Sequence, residues 1–483
     1  MPVAQDRPIH PLLIGYAFLI TVLLLLGGAV GGKLMIPLFP LMSVALGVYF
    51  YTKSPLDYIQ FVCLLTFFAP VIRRIIDYRV GTLTFGPWFL TSLLVMFICA
   101  EKVFRDLPKV FRSKSSFPFF MCLMTIVYGT VMGKISGCKP EVLVNSILSW
   151  GSPVVFGYFI YSKWHLYIEL RKTFQQVFTW GCLLMGSYGI YQYLVAPDWD
   201  RFWLTSVLEL GTNSFGIPEP LGIRVSSTMN SPQAFATAIM SAIFMALLSN
   251  NLFLQVPAMI TGIIAFCLSM ARAVWLGSIL GLPVLFLSLR PKLQMRFASL
   301  ILIICVCLIP IWNNPEFNEV ISKRFESFSN LESDTSYNAR TEGYNKLFSI
   351  ASAQLIGGGF GASFPYSADF VVTDSAIFPM MFLFGWVGSL PYLSGIVLLF
   401  MQLFRHGAGA NKDPVIQVSK AAVTAILAQA GFNFMFVENM GFCLWVFIGL
   451  GLAGRAFHES SATAKSLLIL PSKMILPMRM RDG

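Results

Sequence analysis

Three arginines stand where this sequence otherwise turns apolar. Arg224 lies in GIRVSSTMNSP, Arg272 in SMARAVWLG and Arg340 in YNARTEGY. A guanidinium is a planar fork of N–H donors that matches two phosphate oxygens at once. Each arginine alone has an ordinary explanation, either reaching out to lipid phosphates or pairing with a nearby carboxylate. Three on one face favour a site for a large anion, and a pyrophosphate suits the bidentate geometry. The segment IGGGFGAS, with Gly357, Gly358, Gly359 and Gly361, follows the third arginine. It reads as a turn, and the N–H groups of Gly358 and Gly359 are candidates to cradle the same anion, although most glycine clusters only turn the chain.

Candidate bases are carboxylates. Asp374 in VVTDSAIF stands at the mouth of an apolar run, where partial desolvation raises a carboxyl pKa. Glu342 lies two residues from Arg340, with Tyr344 next to it in the same loop, and Glu438 begins another apolar run. The plain alternative for each acid is a solvated loop carboxylate or an arginine partner. Asp198-Trp199-Asp200 has the D-x-D shape that holds a metal on nucleotide sugars. Alone it is a weak signal, and its loop falls on the wrong face for such substrates. His10, His165, His406 and His458 all map to the opposite face, so no histidine base or zinc site is expected beside the arginines. No P-loop, G-x-S-x-G or H-E-x-x-H pattern is present.

The elements that carry these residues are apolar spans. The chain is 56% hydrophobic and 12% charged, about half the charged fraction of a soluble chain. The composition and run lengths describe an all-α polytopic membrane bundle with about 14 transmembrane helices, about 12 on a stricter count. Spans are expected near 11–31, 34–52, 56–72, 83–100, 117–133, 141–161, 173–196, 231–249, 252–270, 273–289, 297–312, 375–403, 415–431 and 439–455. The first reads as a signal anchor, since Arg7 precedes a run longer than a signal peptide needs and no cleavage site follows. Gly277 and Gly281 form a G-x-x-x-G that suits helix packing better than binding.

The net charge of +11 does not indicate nucleic acid, because the basic residues sit in short loops between spans. Basic segments at 101–115, 290–296 and 405–420 are expected in the cytoplasm, which places both termini inside and the acid-rich loops 197–230 and 313–374 outside. In the larger loop, Phe317, Val320, Ile321, Phe325 and Phe328 recur at helical spacing, so it is expected to be partly helical. A second short helix is expected after Asn338. One basic segment disobeys. Arg73, Arg74 and Arg79 in RRIIDYR fall outside, which means either a miscounted span, the preferred reading, or a task such as substrate binding.

The second half of the chain resembles the O-antigen ligase/polymerase superfamily of bacterial envelope glycosyltransferases. The resemblance rests on RVSSTMNSPQAFA (224–236), LSMARAVWLGSILGL (268–282), the stretch from NARTEGY to LIGGGFGAS, and TDSAIFPMMFLFGWVG (373–388). It divides the chain into N-terminal transmembrane helices (1–196) and a core (197–483) that includes the extracytoplasmic loop 313–374. It implies a metal-independent, cofactor-free transfer of a glycan from an undecaprenyl-pyrophosphate carrier to a glycan acceptor, for O-antigen or exopolysaccharide synthesis. The setting would be the bacterial inner membrane, with chain-length regulator and export proteins as expected partners. Arg224, Arg272 and Arg340 would hold the pyrophosphate, and a positioned base would take the acceptor proton. Ligases of this family usually carry a histidine near the start of the span after the large loop. Here that stretch reads Thr373-Asp374-Ser375, which counts against a lipid A ligase, favours a polymerase and leaves the base unassigned; by position, Asp374 is the choice.

The competing class is a lipid-linked oligosaccharide flippase or other polysaccharide transporter. That class predicts pseudo-repeats and polar, interrupted helices at the midplane. This sequence instead gathers its unusual charges at one face.

Overall fold

The computed structural model describes residues 26–84, 90–209, 215–288, 348–362, 375–407 and 409–469, with isolated positions elsewhere. The described helices are α1 (Gly28–Lys53), α2 (Pro55–Val80), α3 (Thr91–Phe97), α4 (Ala100–Arg112), α5 (Phe117–Ile135), α6 (Pro140–Ser162) and α7 (Tyr167–Val195). They continue with α8 (Asp198–Glu209), α9 (Pro232–Ala246), α10 (Leu252–Leu268), α11 (Arg272–Ser288), α12 (Ile377–Phe404), α13 (Pro414–Leu427) and α14 (Glu438–Ile469). Among the described residues the fold is all-helical apart from one bridge pair, Gly216 with Ile223.

The helix limits follow from local chemistry. Ser54 caps α2 by accepting the Asp57 N–H at 3.4 Å, Pro55 occupies the first turn, and Gly81 closes the helix at φ 80°. Ser231 and Pro232 start α9 in the same way, with the Ala234 N–H donated to Ser231 Oγ at 3.1 Å.

Among the described residues, α1, α2, α5, α6, α12 and the first 26 residues of α14 are long and apolar enough to cross a bilayer. The apolar helices α9, α10, α11 and α13 are shorter. The chain is therefore a multi-pass membrane protein. The helices pack through glycines. A Cβ at Gly277 would lie 2.3 Å from Ala425 O, and one at Gly281 would lie 2.7 Å from Ala421 O. The G-x-x-x-G expected from the sequence is thus the seam between α11 and α13.

Side-chain bonds show which loops share an end of the bundle. Tyr51 donates to Glu101 at 2.5 Å, Gln402 donates to Lys114 O at 3.2 Å, and His458 pairs with Asp413 at 3.1 Å. These join the basic loops, so this is the basic end. The other end gathers residues 73–84, 136–139, 197–209, 215–231, 268–272, 354–360, 375–376 and 428–438, linked for example by Val225 N–H to Leu268 O at 3.1 Å and Ala376 N–H to Ala430 O at 2.9 Å. We term it the loop end.

Several sequence expectations change here. The short break expected near 31–33 does not exist, because α1 runs unbroken from Gly28 and the chain turns before it, at Gly28 with φ 67°. Within the span expected at 83–100, the described residues form the short α3 followed by a turn. The basic segment 101–115 is mostly the amphipathic α4, with Val103 and Val110 buried and Phe104 exposed. The outer loop 197–230 carries α8, and its stretch Val225–Met229 is buried. In the arginine segment RRIIDYR, Arg73 and Arg74 lie on α2 at the loop end, away from the basic loops, and both are engaged.

Candidate functional site

The centre of the loop end is the segment Val225–Ser231, which runs between α8 and α9. A single side chain on α7 holds its backbone. Gln192 Oε1 accepts the N–H groups of Ser226 at 3.1 Å and Ser227 at 2.7 Å. Gln192 Nε2 donates to Asp200 Oδ2 at 3.0 Å, and the Tyr188 hydroxyl reaches the same oxygen at 2.9 Å. Asp200 also pairs with Arg74 at 2.7 Å, and both side chains are fully buried. Arg74 donates its Nη2 to the Ser227 carbonyl and lies over the Trp203 ring, 5.7 Å from its centre. Ser227 adopts φ 49°, a strained geometry for a residue with a Cβ, and this network maintains it.

Asp200 is the second acid of the D-x-D set aside in the sequence. It serves as the buried counter-ion of Arg74. Sequence reasoning missed this pair because the partners are remote in the chain. The available signal was an arginine that violated the charge rule.

Arg224 immediately precedes the same segment. Its N–H donates to Phe215 O at 3.0 Å, and its Nη2 donates to Met270 O at 3.0 Å. Met270 adopts φ 51° in the turn between α10 and α11, and the next turn begins with Arg272, the first residue of α11. Arg224 and Arg272 are therefore brought to one turn, and both are half-buried. The fold supplies the proximity that the sequence reading assumed for these two.

Arg73 pairs with Asp77 at 3.5 Å and donates to Thr84 O at 3.0 Å. Glu438 heads α14 and is exposed.

The glycine segment has a packing role. Helix α12 breaks at Gly385, where φ is 58° and ψ is −168°, and the break leaves backbone groups without helical partners. Residues 354–359 satisfy them. Gly358 and Gly359 N–H donate to Phe382 O at 2.9 Å and Leu383 O at 2.8 Å, while Trp386 and Val387 N–H donate to Gln354 O and Leu355 O at 3.0 and 3.1 Å. The expected role of Gly358 and Gly359 as anion donors is corrected accordingly: both N–H groups are committed to the broken helix. Close approach explains the residue type, because a Cβ at Gly359 would lie 2.0 Å from Gly133 N.

Arg340, Glu342, Tyr344 and Asp374 lie outside the described residues, as do the helix expected at 317–328 and the span expected at 297–312. Helical structure at 348–352 is consistent with the end of the second helix expected in that loop.

Residues 257–393 match a family model described as O-antigen ligase. The match starts in α10, takes in Arg272 and the large loop with Arg340, and ends within α12. No curated protein matches the chain.

Proposed function

We propose that this chain, a member of the O-antigen ligase/polymerase superfamily by the match across residues 257–393, is a polymerase of lipid-linked glycan repeats. The observation that carries this reading is the convergence of Arg224 and Arg272 at the Met270 turn, which lies at the loop end; the turn and Arg272, but not Arg224, fall in the matched stretch. The reading places that end at the extracytoplasmic face of the bacterial inner membrane. The donor is a glycan on undecaprenyl pyrophosphate, and the acceptor is a second lipid-linked glycan.

In the reaction, an acceptor hydroxyl oxygen bonds to the anomeric carbon of the donor sugar. The bond from that carbon to the pyrophosphate oxygen breaks, and the departing pyrophosphate keeps the electron pair. Arg224, Arg272 and Arg340 would neutralise this growing charge with preorganised N–H donors, so no metal ion is required of the site. Asp374 would take the acceptor proton. Tyr344 and Glu342 lie next to Arg340 in the chain and would line the same substrate. Arg74 acts indirectly, by holding the segment that carries Arg224.

Deleting the gene and analysing the lipid-linked glycans tests the reading. A polymerase mutant accumulates single repeat units on the carrier, facing outward. Repeats trapped on the cytoplasmic leaflet would instead identify a flippase. Intact carrier-linked chains that fail to reach lipid A core would identify a ligase.

A further inference from the structure

Helix α4 lies across the basic end instead of running through the bundle. Tyr51, two residues from the end of α1, donates to Glu101 at 2.5 Å. Tyr158, one turn from the end of α6, donates to Asp106 at 3.3 Å. Phe111 packs on Phe120 in the first turn of α5, with ring centres 4.1 Å apart. The 13 residues of α4 reach about 20 Å. Contacts along that length with the ends of three spans set its axis across the bundle, close to the membrane plane.

Each side of α4 meets a different neighbour. Val103, Asp106 and Val110 are buried against the bundle. Phe104 and Phe111 are seven residues apart, so they share another side, and they are 72% and 52% exposed. Phe120, which Phe111 touches, belongs to a stripe at helical spacing with Phe117, Met124, Val127 and Val131, and these four are exposed. They lie on α5, a helix long and apolar enough to cross the bilayer. An outward apolar stripe on a span faces lipid, and the contact of Phe111 with Phe120 makes the apolar side of α4 part of the same surface. The remaining side carries Arg105 and Lys109, whose side chains are 69% and 84% exposed, and Lys114 is exposed in the turn to α5. Segment 101–115 holds five bases against two acids. The ion pairs of Arg105 with Glu101, and of Lys102 and Lys109 with Asp106, therefore leave net positive charge.

We propose that α4 is an in-plane helix that binds anionic phospholipid headgroups of the leaflet at the basic end. Phe104 and Phe111 enter the boundary of the acyl chains, while Arg105, Lys109 and Lys114 meet the phosphates. Such attraction is about fivefold per cation near an anionic membrane surface, and salt screens it. This surface is independent of the chemistry at the loop end.

The experiment measures hydrogen–deuterium exchange of α4 in the full-length protein. One set of nanodiscs is phosphatidylcholine alone, and the other mixes it equally with phosphatidylglycerol. In the wild type, α4 should exchange roughly tenfold or more slowly in the anionic nanodiscs, and high salt should erase the difference. Equal rates in the two membranes would overturn the proposal. The triple variant Arg105→Gln, Lys109→Gln, Lys114→Gln should lose the difference. Each protein is its own control in the neutral membrane, so a weakened fold does not enter the ratio. A triple variant that keeps the wild-type ratio would overturn the role of these cations. Phe104→Gln does not lower helix propensity and should speed exchange in both membranes. An unchanged rate there would put Phe104 outside the bilayer and overturn the in-plane placement. Protection in native membrane vesicles, but in neither nanodisc, would mean that a partner protein covers α4, which also defeats the proposal.

Discussion

Arg74 and Asp200 form a fully buried ion pair, with 2.7 Å between guanidinium and carboxylate, that ties α2 to α8. The pair does more than join two helices. Gln192 and Tyr188 complete the Asp200 side, and the Ser227 carbonyl completes the Arg74 side. Removing one partner strands a buried charge, so Arg74→Ala or Asp200→Ala should each cost about 3–5 kcal/mol. Replacing both with apolar residues of similar volume should recover most of that loss. Thermal unfolding in detergent measures the stability. Glycan transfer measured beside it should stay low in the double variant, because the Ser227 carbonyl loses its donor and Arg224 its fixed placement. Full activity in a stable double variant would show that the pair has no positioning role.

The pyrophosphate site predicts that Arg272→Ala and Arg340→Ala each abolish polymer while the protein still accumulates in the membrane. Lysine should rescue poorly, since one ammonium cannot reproduce the two-pronged contact. Polymer laddering on a gel, with immunoblotting for protein level, reads both. Wild-type ladders from either alanine variant would remove that residue from the site.

Asp374 has two roles open to it, base or cap of the helix that follows. Asp374→Asn keeps the capping ability and loses the base. Turnover on purified lipid-linked repeats should fall by roughly a hundredfold or more if Asp374 takes the proton. Near-normal turnover would leave it a cap.

Topology can be read with reporter fusions. Ser329 should report the extracytoplasmic side, while Lys292 and Gly409 should report the cytoplasm. A cytoplasmic signal at Ser329 would move the arginine set to the wrong face for an outward-facing reaction.

The glycine segment gives a stability prediction. Gly359 adopts φ 77° and abuts Gly133, so Gly359→Ala meets both a strained backbone and a clash. The backbone strain alone costs on the order of 1–3 kcal/mol. Membrane accumulation of the variant should drop sharply. Normal accumulation with lost activity would instead return this glycine to the substrate site.

The sequence by itself determined the class of the molecule. Long apolar runs mark a multi-pass membrane protein, and loop charges suggest which runs begin and end together. The packing role of Gly277 and Gly281 was legible too, because glycine spacing on a helix describes a surface without reference to its partner. The convergence of Arg224 with the Met270 turn was foreseen only as a shared face. Tertiary structure decided the rest. Arg73 and Arg74 looked like a counting error, since the charge rule sees only distance along the chain and cannot see Asp200 arriving from α8. Asp200 looked like half of a weak metal motif for the same reason. The glycines Gly358 and Gly359 resembled an anion cradle until the break at Gly385 supplied carbonyls for their N–H groups. Hydropathy and charge act locally and so can be read in order along the chain. A hydrogen bond or a buried ion pair needs both partners in place, and only the folded bundle brings them together.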